Sequence, residues 1–188
     1  MDGFVELFSV PINGGDSARL NSSLPEGLPV SGGHQISPNS DRVVYRVSNG
    51  DNSAIYSVAI FGSESVRLSE ENGAVVGQLT QNGFQISSDG QQVIFRSIED
   101  VEGFIFSVNQ IFSVPILGGE ITRLNNDLPM FSEIDEFQIS SESQYVVYLG
   151  DQDFRNQQEL YSVRVDTIDE LLCFPIKTKD DDFVTICL

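Results

Sequence analysis

The sequence is poor in basic residues, and lysine is almost absent from it. Of 188 residues, 10 are Lys or Arg and 28 are Asp or Glu, so the formal net charge at pH 7 is −18. Both lysines, Lys177 and Lys179, lie close to the C-terminus. A surface with this charge repels phosphate backbones and anionic lipids, so nucleic acid is not an expected partner. Divalent cations and basic protein surfaces are compatible with the charge, and the simplest interpretation is a solvated acidic surface.

Histidine and cysteine are scarce, which narrows the chemistry available to the chain. His34 is the single histidine, so a Ser-His-Asp triad would have to use it, and no Gly-x-Ser-x-Gly segment supplies a nucleophile. The two cysteines, Cys173 and Cys187, do not make a disulfide framework. Together with one histidine they are too few for a zinc site. We therefore expect no enzyme active site and no zinc in this chain.

Long hydrophobic runs are also missing. No segment approaches the ~18–20 apolar residues of a membrane span, and Met1-Asp2-Gly3-Phe4 has neither the basic nor the apolar part of a signal peptide. Hydrophobic residues nevertheless make up 40% of the chain, which is enough for the core of a folded domain. We expect a globular chain with no membrane span, and composition alone leaves its compartment open.

What the sequence does contain is a repeat of about 50 residues. Each copy has an x-Gln-Ile-Ser segment, then a Val-Val-Tyr type of run, and then an Ile-Tyr-Ser-Val type of run. The Ile-Ser pairs begin at Ile36, Ile86 and Ile139, which are 50 and 53 residues apart. Short β-type runs at such a period are typical of a propeller-type array. Because no segment has a sustained apolar period of 3.6 residues, we expect an all-β fold with almost no helix.

Each repeat predicts a meander of four short strands, and the first repeat is incomplete. Val5–Ile12 and residues 17–20 form a predicted hairpin around Asn13-Gly14-Gly15, which matches only the second half of a repeat. The predicted propeller domain covers 1–176, with a half-blade and connector at 1–33, blades at 34–83, 84–136 and 137–176, and a non-repeat tail at 177–188. The last blade is predicted to have strands at 137–140, 145–149, 159–165 and 170–175.

The second repeat contains an insertion, because Ile105-Phe106-Ser107-Val108 is echoed by Ile111-Phe112-Ser113-Val114. A copied strand cannot pair in two places. We therefore expect the residues around 105–110 to bulge from a blade edge without breaking the meander.

The segment Ile36-Ser37-Pro38-Asn39-Ser40, followed by Val43-Val44-Tyr45, resembles the repeat of the bacterial TolB-type and Tricorn-type β-propellers. Asn39, Asp89 and Glu142 occupy the position of the family's Asp. The resemblance implies a β-propeller arc of about three and a half four-stranded antiparallel blades and a periplasmic or extracellular location. Since propellers close with about 4–8 blades, we expect a fragment of a larger propeller or self-association through open blade faces.

Residues shared by every repeat are expected to serve the fold, and function is expected where the repeat breaks. Gln35, Gln85 and Gln138 are interpreted as inter-blade or channel hydrogen-bonding groups, and His34 as a packing or channel residue. The carboxylates of Asp151, Asp153 and Glu159 are the one candidate metal site, because oxygen ligands at alternate positions suit Ca²⁺. A solvated hairpin tip is the alternative, and the sequence favours it because the segment lacks the glycine of a calcium loop. No other cofactor is expected.

The leading functional interpretation is a non-catalytic propeller module that binds a protein or another ligand, with a protein partner or further blades as its partners. Two alternatives stay open. One is an accessory propeller of a peptidase or hydrolase whose catalytic domain is not in this chain, and the other is a structural or cell-surface adhesion repeat.

Overall fold

A computed structural model describes residues 5–21, 29–49, 53–69, 83–100, 107–165, 173–177 and 183–187. Every regular element in these ranges is a β-strand, and the strands of each sheet pair in antiparallel fashion. The predicted all-β fold is confirmed. Within the same ranges there is no helix that could cross a membrane.

Two four-stranded sheets form the middle of the chain. The first blade contains β3 (Val30–Ile36), β4 (Arg42–Ser48), β5 (Ser53–Ala59) and β6 (Val66–Arg67), hydrogen-bonded in that order. The second blade contains β7 (Phe84–Ile86), β8 (Gln92–Asp100), β9 (Ser107–Pro115) and β10 (Thr122–Arg123), again in chain order. Both are the meanders that the repeat predicts, although β3 begins four residues before the predicted start of its blade.

Three smaller groups of strands complete the fold. The N-terminal hairpin pairs β1 (Phe8–Ser9) with β2 (Ala18–Arg19). The third blade is a three-stranded sheet of β11 (Ile134–Ile139), β12 (Tyr145–Gly150) and β13 (Glu159–Arg164). The C-terminal hairpin pairs β14 (Cys173–Lys177) with β15 (Phe183–Cys187).

The third blade departs from the predicted four strands. The strand predicted at 170–175 is wrong for residues 173–175, because these belong to β14, whose partner is β15 in a separate two-stranded sheet. Residues 166–172 lie outside the described part of the chain. The tail predicted at 177–188 therefore supplies a strand to a hairpin.

The apolar core lies between successive blades. One cluster joins Leu7 and Leu20 of the N-terminal hairpin to the first blade, a second joins the first blade to the second, and a third joins the second to the third. A single strand contributes to two of these clusters: in the run Val43-Val44-Tyr45, Val43 and Tyr45 belong to the first cluster, and Val44 belongs to the second. Successive side chains of a strand point to opposite faces, and both faces of this sheet are covered. Continuous apolar runs are the result.

The serine of each Ile-Ser pair holds the hairpin turn that follows it. Its hydroxyl oxygen accepts a hydrogen bond from a backbone N–H five residues later, in the pairs Ser37–Arg42 at 3.0 Å, Ser87–Gln92 at 2.9 Å and Ser140–Tyr145 at 3.1 Å. The third residue after each serine has a positive φ, of 62° at Ser40, 73° at Gly90 and 61° at Ser143. Such left-handed turn positions favour glycine, and a non-glycine residue there is uncommon.

The insertion in the second repeat lengthens a hairpin and does not bulge. Strands β8 and β9 pair without a register shift from Gln92↔Pro115 to Asp100↔Ser107. The prediction of a bulge is wrong for residues 107–110, because β8 is itself long enough to pair with them; residues 105 and 106 lie outside the described ranges. We call residues 97–100 and 107–110 the arm. A parallel bridge from Asn109 to Glu133 connects the arm to the third blade.

Candidate interaction surfaces

The glutamines of the x-Gln-Ile-Ser segments link consecutive blades. Gln35 Nε2 donates to the carbonyl oxygen of Phe84 at 2.8 Å, and Gln35 Oε1 accepts from the N–H of Ile86 at 3.3 Å. Gln85 Nε2 repeats the first contact with the carbonyl oxygen of Phe137 at 3.0 Å. The predicted inter-blade role is confirmed for both residues. Gln138, the third glutamine of the series, is exposed, and its side chain has no hydrogen-bond partner among the described residues.

A second contact between blades lies at the hairpin turns. The hydroxyl groups of Ser88 and Ser143 are 2.7 Å apart, and the N–H of Asp89 donates to Ser143 Oγ at 3.1 Å. Ser88 Oγ also donates to the carbonyl oxygen of Ser141. These residues explain part of the repeat signature, because the turn of one blade packs on the turn of the next.

An apolar cavity of about 480 Å³ lies between the N-terminal hairpin and the first blade. Its lining is mainly apolar and includes Leu7, Phe8, Val10, Ile36 and Ile60. His34 lies on the same cavity and is exposed. The structure thus places the single histidine on the wall of a mainly apolar cavity.

The carboxylate of Asp151, one of the candidate metal ligands, accepts two backbone hydrogen bonds. It is buried, and its Oδ1 and Oδ2 atoms accept the N–H groups of Glu133 at 2.6 Å and Asn156 at 2.8 Å. Asn156 has a φ of 61°, so the carboxylate stabilises a tight loop in which a left-handed residue is needed.

The other two candidate metal residues have different partners. Asp153 is exposed, and its N–H donates to the hydroxyl oxygen of Tyr161 at 3.2 Å. Glu159 Oε2 accepts from the Tyr161 hydroxyl at 2.9 Å. Across the part of the chain that the structure describes, no group of three or more His, Cys, Asp or Glu side chains is arranged to hold a metal ion. Calcium binding at this loop stays a prediction, and the observed role of the loop is structural.

We expect Asp151→Ala to lower the free energy of unfolding by about 2–3 kcal/mol, because it leaves two backbone N–H groups without their charged acceptor. Asp153→Ala is the matched control, and we expect a change within about 0.5 kcal/mol because its carboxylate is exposed. Urea denaturation of both variants measures the difference. A saturable stabilisation by Ca²⁺ that Asp153→Asn abolishes would establish the calcium hypothesis, and equal effects of the two alanine variants would contradict the structural role of Asp151.

A buried network beside this loop has no counterpart in the sequence predictions. The Tyr148 hydroxyl donates to Gln152 Oε1 at 2.8 Å, and the same oxygen accepts the N–H of Asn126 at 3.0 Å. Burial, with smaller effects from neighbouring Tyr161 and Asp153, raises the pKa of Tyr148 to about 12. Tyr148 is therefore a neutral donor at physiological pH, and the network attaches the loop to the third blade.

A polar residue after each Arg-Leu pair was also missed, although the sequence carries a signal for it. Side chains at this position accept a backbone N–H from the third strand of the blade or from the residue just before it, in the pairs Asn21–Leu7 at 3.0 Å, Ser69–Ile55 at 3.2 Å and Asn125–Ile111 at 2.9 Å. The recurrence of Asn or Ser directly after Arg-Leu was visible in all three places. Its meaning depends on a contact 14 residues away, which spacing alone does not reveal.

The two segments that interrupt the repeat, the arm and the loop at residues 151–159, meet at one end of the third blade. Asn109 of the arm donates through Nδ2 to Glu133 Oε2 at 3.1 Å, and the loop residue Gln158 donates to the carboxylate of Asp135. We call the carboxylates of this region the acidic surface, and its members are Glu133, Asp135, Glu136, Asp153 and Glu159.

Among the described residues, the carboxylates of the acidic surface form no salt bridge. Burial, followed by the negative charge of Glu133, raises the pKa of Asp135, and the guanidinium of Arg96 only partly opposes this. Arg96 itself donates to the carbonyl oxygens of Ile134 and Asp135. The two salt bridges found within the described ranges, Arg19–Glu6 and Arg123–Asp127, lie elsewhere.

Comparison with known proteins gives a fold but no family. No protein-family model matches the sequence, and no curated protein matches it. Among solved structures, the chain is similar to the crystal structure of the tricorn protease, with a TM-score of 0.54 and 12% sequence identity. The similarity covers 79% of this chain and 14% of that chain. At this identity the likeness shows a propeller-like fold, and the blades described above are its units.

Proposed function

We propose that the chain is a non-catalytic propeller module that binds a protein partner through the acidic surface. The observation that carries the proposal is the convergence of the arm and the 151–159 loop on this surface. The serines and glutamines shared by the repeats, apart from Gln138, are occupied in turns and inter-blade contacts, whereas these two segments break the repeat. Loops held on a rigid scaffold are where binding residues concentrate.

The charge of the surface selects the kind of partner. Asp135 lies within electrostatic reach of Glu133 and Glu136, and no salt bridge among the described residues involves the acidic surface, so a partner with clustered Lys or Arg side chains gains complementary contacts there. The net charge of −18 adds long-range attraction for such a partner and speeds its association.

A pair of charge-matched variants tests the proposal. The first combines Glu133→Gln, Asp135→Asn and Glu136→Gln, and the control combines Asp16→Asn, Glu64→Gln and Glu120→Gln, which are exposed residues outside the acidic surface. Each set changes the net charge from −18 by three units to −15. The probe is a short lysine-rich peptide, and its affinity is measured by calorimetry near physiological ionic strength.

We expect the first variant to bind about tenfold more weakly, since three charge contacts of about 0.5 kcal/mol each sum to about 1.5 kcal/mol. The control is expected to bind as the unmodified chain does. Equal losses in the two variants would mean general electrostatic attraction and would contradict a specific surface.

The second candidate function is an accessory propeller of a peptidase or hydrolase. The fold likeness to the tricorn protease favours it, and the chain corresponds to 14% of that protein. Under this hypothesis the adjoining DNA encodes a hydrolase domain, recognisable by a Gly-x-Ser-x-Gly segment after a strand. A periplasmic or extracellular location is part of both proposals, and fractionation of cells that produce the protein tests it.

A further inference from the structure

The N-terminal hairpin has the register of the outer half of a blade. Phe8 pairs with Arg19, as Phe112 pairs with Arg123 in the second blade and Tyr56 with Arg67 in the first. In those two blades the other edge of the third strand pairs with the second strand, β8 or β4. The corresponding edge of β1 pairs with no strand in the described part of the chain.

The unpaired edge of β1 coincides with exposed apolar side chains. Phe8 is 52% exposed and Val10 is 62% exposed, and both line the cavity of about 480 Å³. Their equivalents in the second blade, Phe112 and Val114, are 7% and 1% exposed, because they pack in the cluster formed by β7 and β8 of their own blade and by side chains of the first blade. Within the described ranges, no inner pair of strands is hydrogen-bonded to the N-terminal hairpin.

The C-terminal hairpin has the register of such an inner pair. The inner hairpins of the second and third blades place Phe-x-Ile opposite Val-x-aromatic, with Phe84↔Phe95 and Ile86↔Val93 in one and Phe137↔Tyr148 and Ile139↔Val146 in the other. In the C-terminal hairpin, Phe174 pairs with Ile186 and Ile176 with Val184. The same residue spacing on both strands in the same pairing register identifies β14 with β7 and β11, and β15 with β8 and β12.

We propose that β14 and β15 are the inner half, and β1 and β2 the outer half, of one four-stranded blade assembled from the two hairpins of the same chain. Strand β15 adds to the free edge of β1 in antiparallel fashion. The register of the second blade, in which Val93 pairs with Val114, places Val184 opposite Val10 and Ile186 opposite Phe8. Edge addition of this kind satisfies backbone groups and covers the exposed apolar side chains together.

The unpartnered Gln138 fits the same assembly. Gln35 and Gln85 each donate to the carbonyl oxygen of the phenylalanine in the next Phe-x-Ile segment. The next such segment after Gln138 begins at Phe174, so its carbonyl oxygen is the expected acceptor. The connection between the third blade and β14 is long enough for this assembly. Residue 173 follows residue 165 by eight positions, which span about 26 Å in extended chain. This exceeds the ~20 Å length of a six-residue strand, so the chain can return along β13 and enter the next blade at β14.

Amide hydrogen exchange in the unmodified protein tests the pairing of β1. The N–H of Leu7 donates to Asn21 Oδ1, and the carbonyl oxygen of Leu7 accepts from the N–H of Leu20, so the backbone polar groups of Leu7 face β2. Because these groups alternate in direction along a strand, those of Ser9 also face β2. The N–H groups of Phe8 and Val10 face the free edge. We expect the amides of Phe8 and Val10 to exchange as slowly as those of their equivalents in the second blade, Phe112 and Val114. Fast exchange at Phe8 and Val10, with slow exchange in the second blade, would overturn the proposal.

Disulfide trapping tests the register and the source of the hairpin. In a Cys173→Ser, Cys187→Ser background, we expect Val10→Cys with Val184→Cys to form a disulfide within one chain upon oxidation, since cross-strand partners bring their Cβ atoms together. The control pair, Ser9→Cys with Val184→Cys, shifts the register by one residue, which turns the two side chains to opposite faces and prevents the bond. Circular dichroism confirms that both variants are folded.

Each outcome of the trapping experiment decides the proposal. A disulfide in monomers of the first pair alone supports it. A disulfide-linked dimer would show that the hairpin of a second copy fills the site, and this would overturn assembly within one chain. Equal cross-linking of both pairs, or of neither, would overturn the register and with it the proposal.

Discussion

Phe95→Ala is expected to lower the free energy of unfolding by about 3–5 kcal/mol, the cost typical of removing a buried phenylalanine. Phe95 is buried in the cluster that joins the first blade to the second, and its ring stacks on Phe112 with centroids 5.6 Å apart. The substitution removes apolar burial and an aromatic pair at the same position. Domains of this kind are stable by about 5–15 kcal/mol, so the loss is a large part of the total.

The matched control for this substitution is Phe61→Ala. Phe61 is 84% exposed, and we expect its replacement to change stability by less than about 0.5 kcal/mol. Denaturant midpoints of the two variants, measured under the same conditions, give the comparison. If the two midpoints shift equally, the cluster between the first and second blades does not stabilise the fold as described.

Ile111→Ala is expected to cost about 2–5 kcal/mol and to loosen mainly the third blade. Ile111 is fully buried and packs, together with Ile94, against Phe137 and Val146 of the third blade. Because contacts in a repeat architecture are made with the nearest neighbour, we expect the change to reach the third blade before the first.

Hydrogen exchange resolved by residue measures where the loss occurs. We expect faster exchange across β11 to β13 with the protection of β3 to β5 retained. Ile12→Ala is the control, since the side chain of Ile12 is fully exposed, and it should leave both regions unchanged. Uniform loss of protection across all blades would indicate a single cooperative unit and would contradict nearest-neighbour coupling.

The meanders were predictable because their signals are local. Segments such as Val43-Val44-Tyr45 are apolar without a helical period, and turn residues separate them at regular intervals. The inter-blade role of Gln35 and Gln85 also followed from their recurrence beside the same strand. A residue that recurs in every repeat is expected to support a structural feature that every repeat shares, such as the contact between neighbouring blades.

The incorrect predictions concern pairing over distance. Residues 107–110 were expected to bulge because the sequence shows a copied strand, but it does not show that residues 97–100 are available to pair with them. Residues 173–175 were assigned to a fourth strand of the third blade because of their position in the repeat, and their partner is β15. The backbone contact of Asp151 was likewise not predicted, because it depends on Glu133, 18 residues away; calcium binding by Asp151, Asp153 and Glu159 stays a prediction.

The location of the core between blades has a consequence for how such a chain can change in evolution. Each cluster takes side chains from two consecutive copies, so a duplicated copy meets on each side the surface that its parent already met. Recombination can therefore add or remove a unit of about 50 residues at any phase of the repeat without creating a new interface. Turn loops and arms can diverge within one copy while the shared faces stay interchangeable. Gene duplication thus gives this architecture a ready route to longer arrays and to new loops.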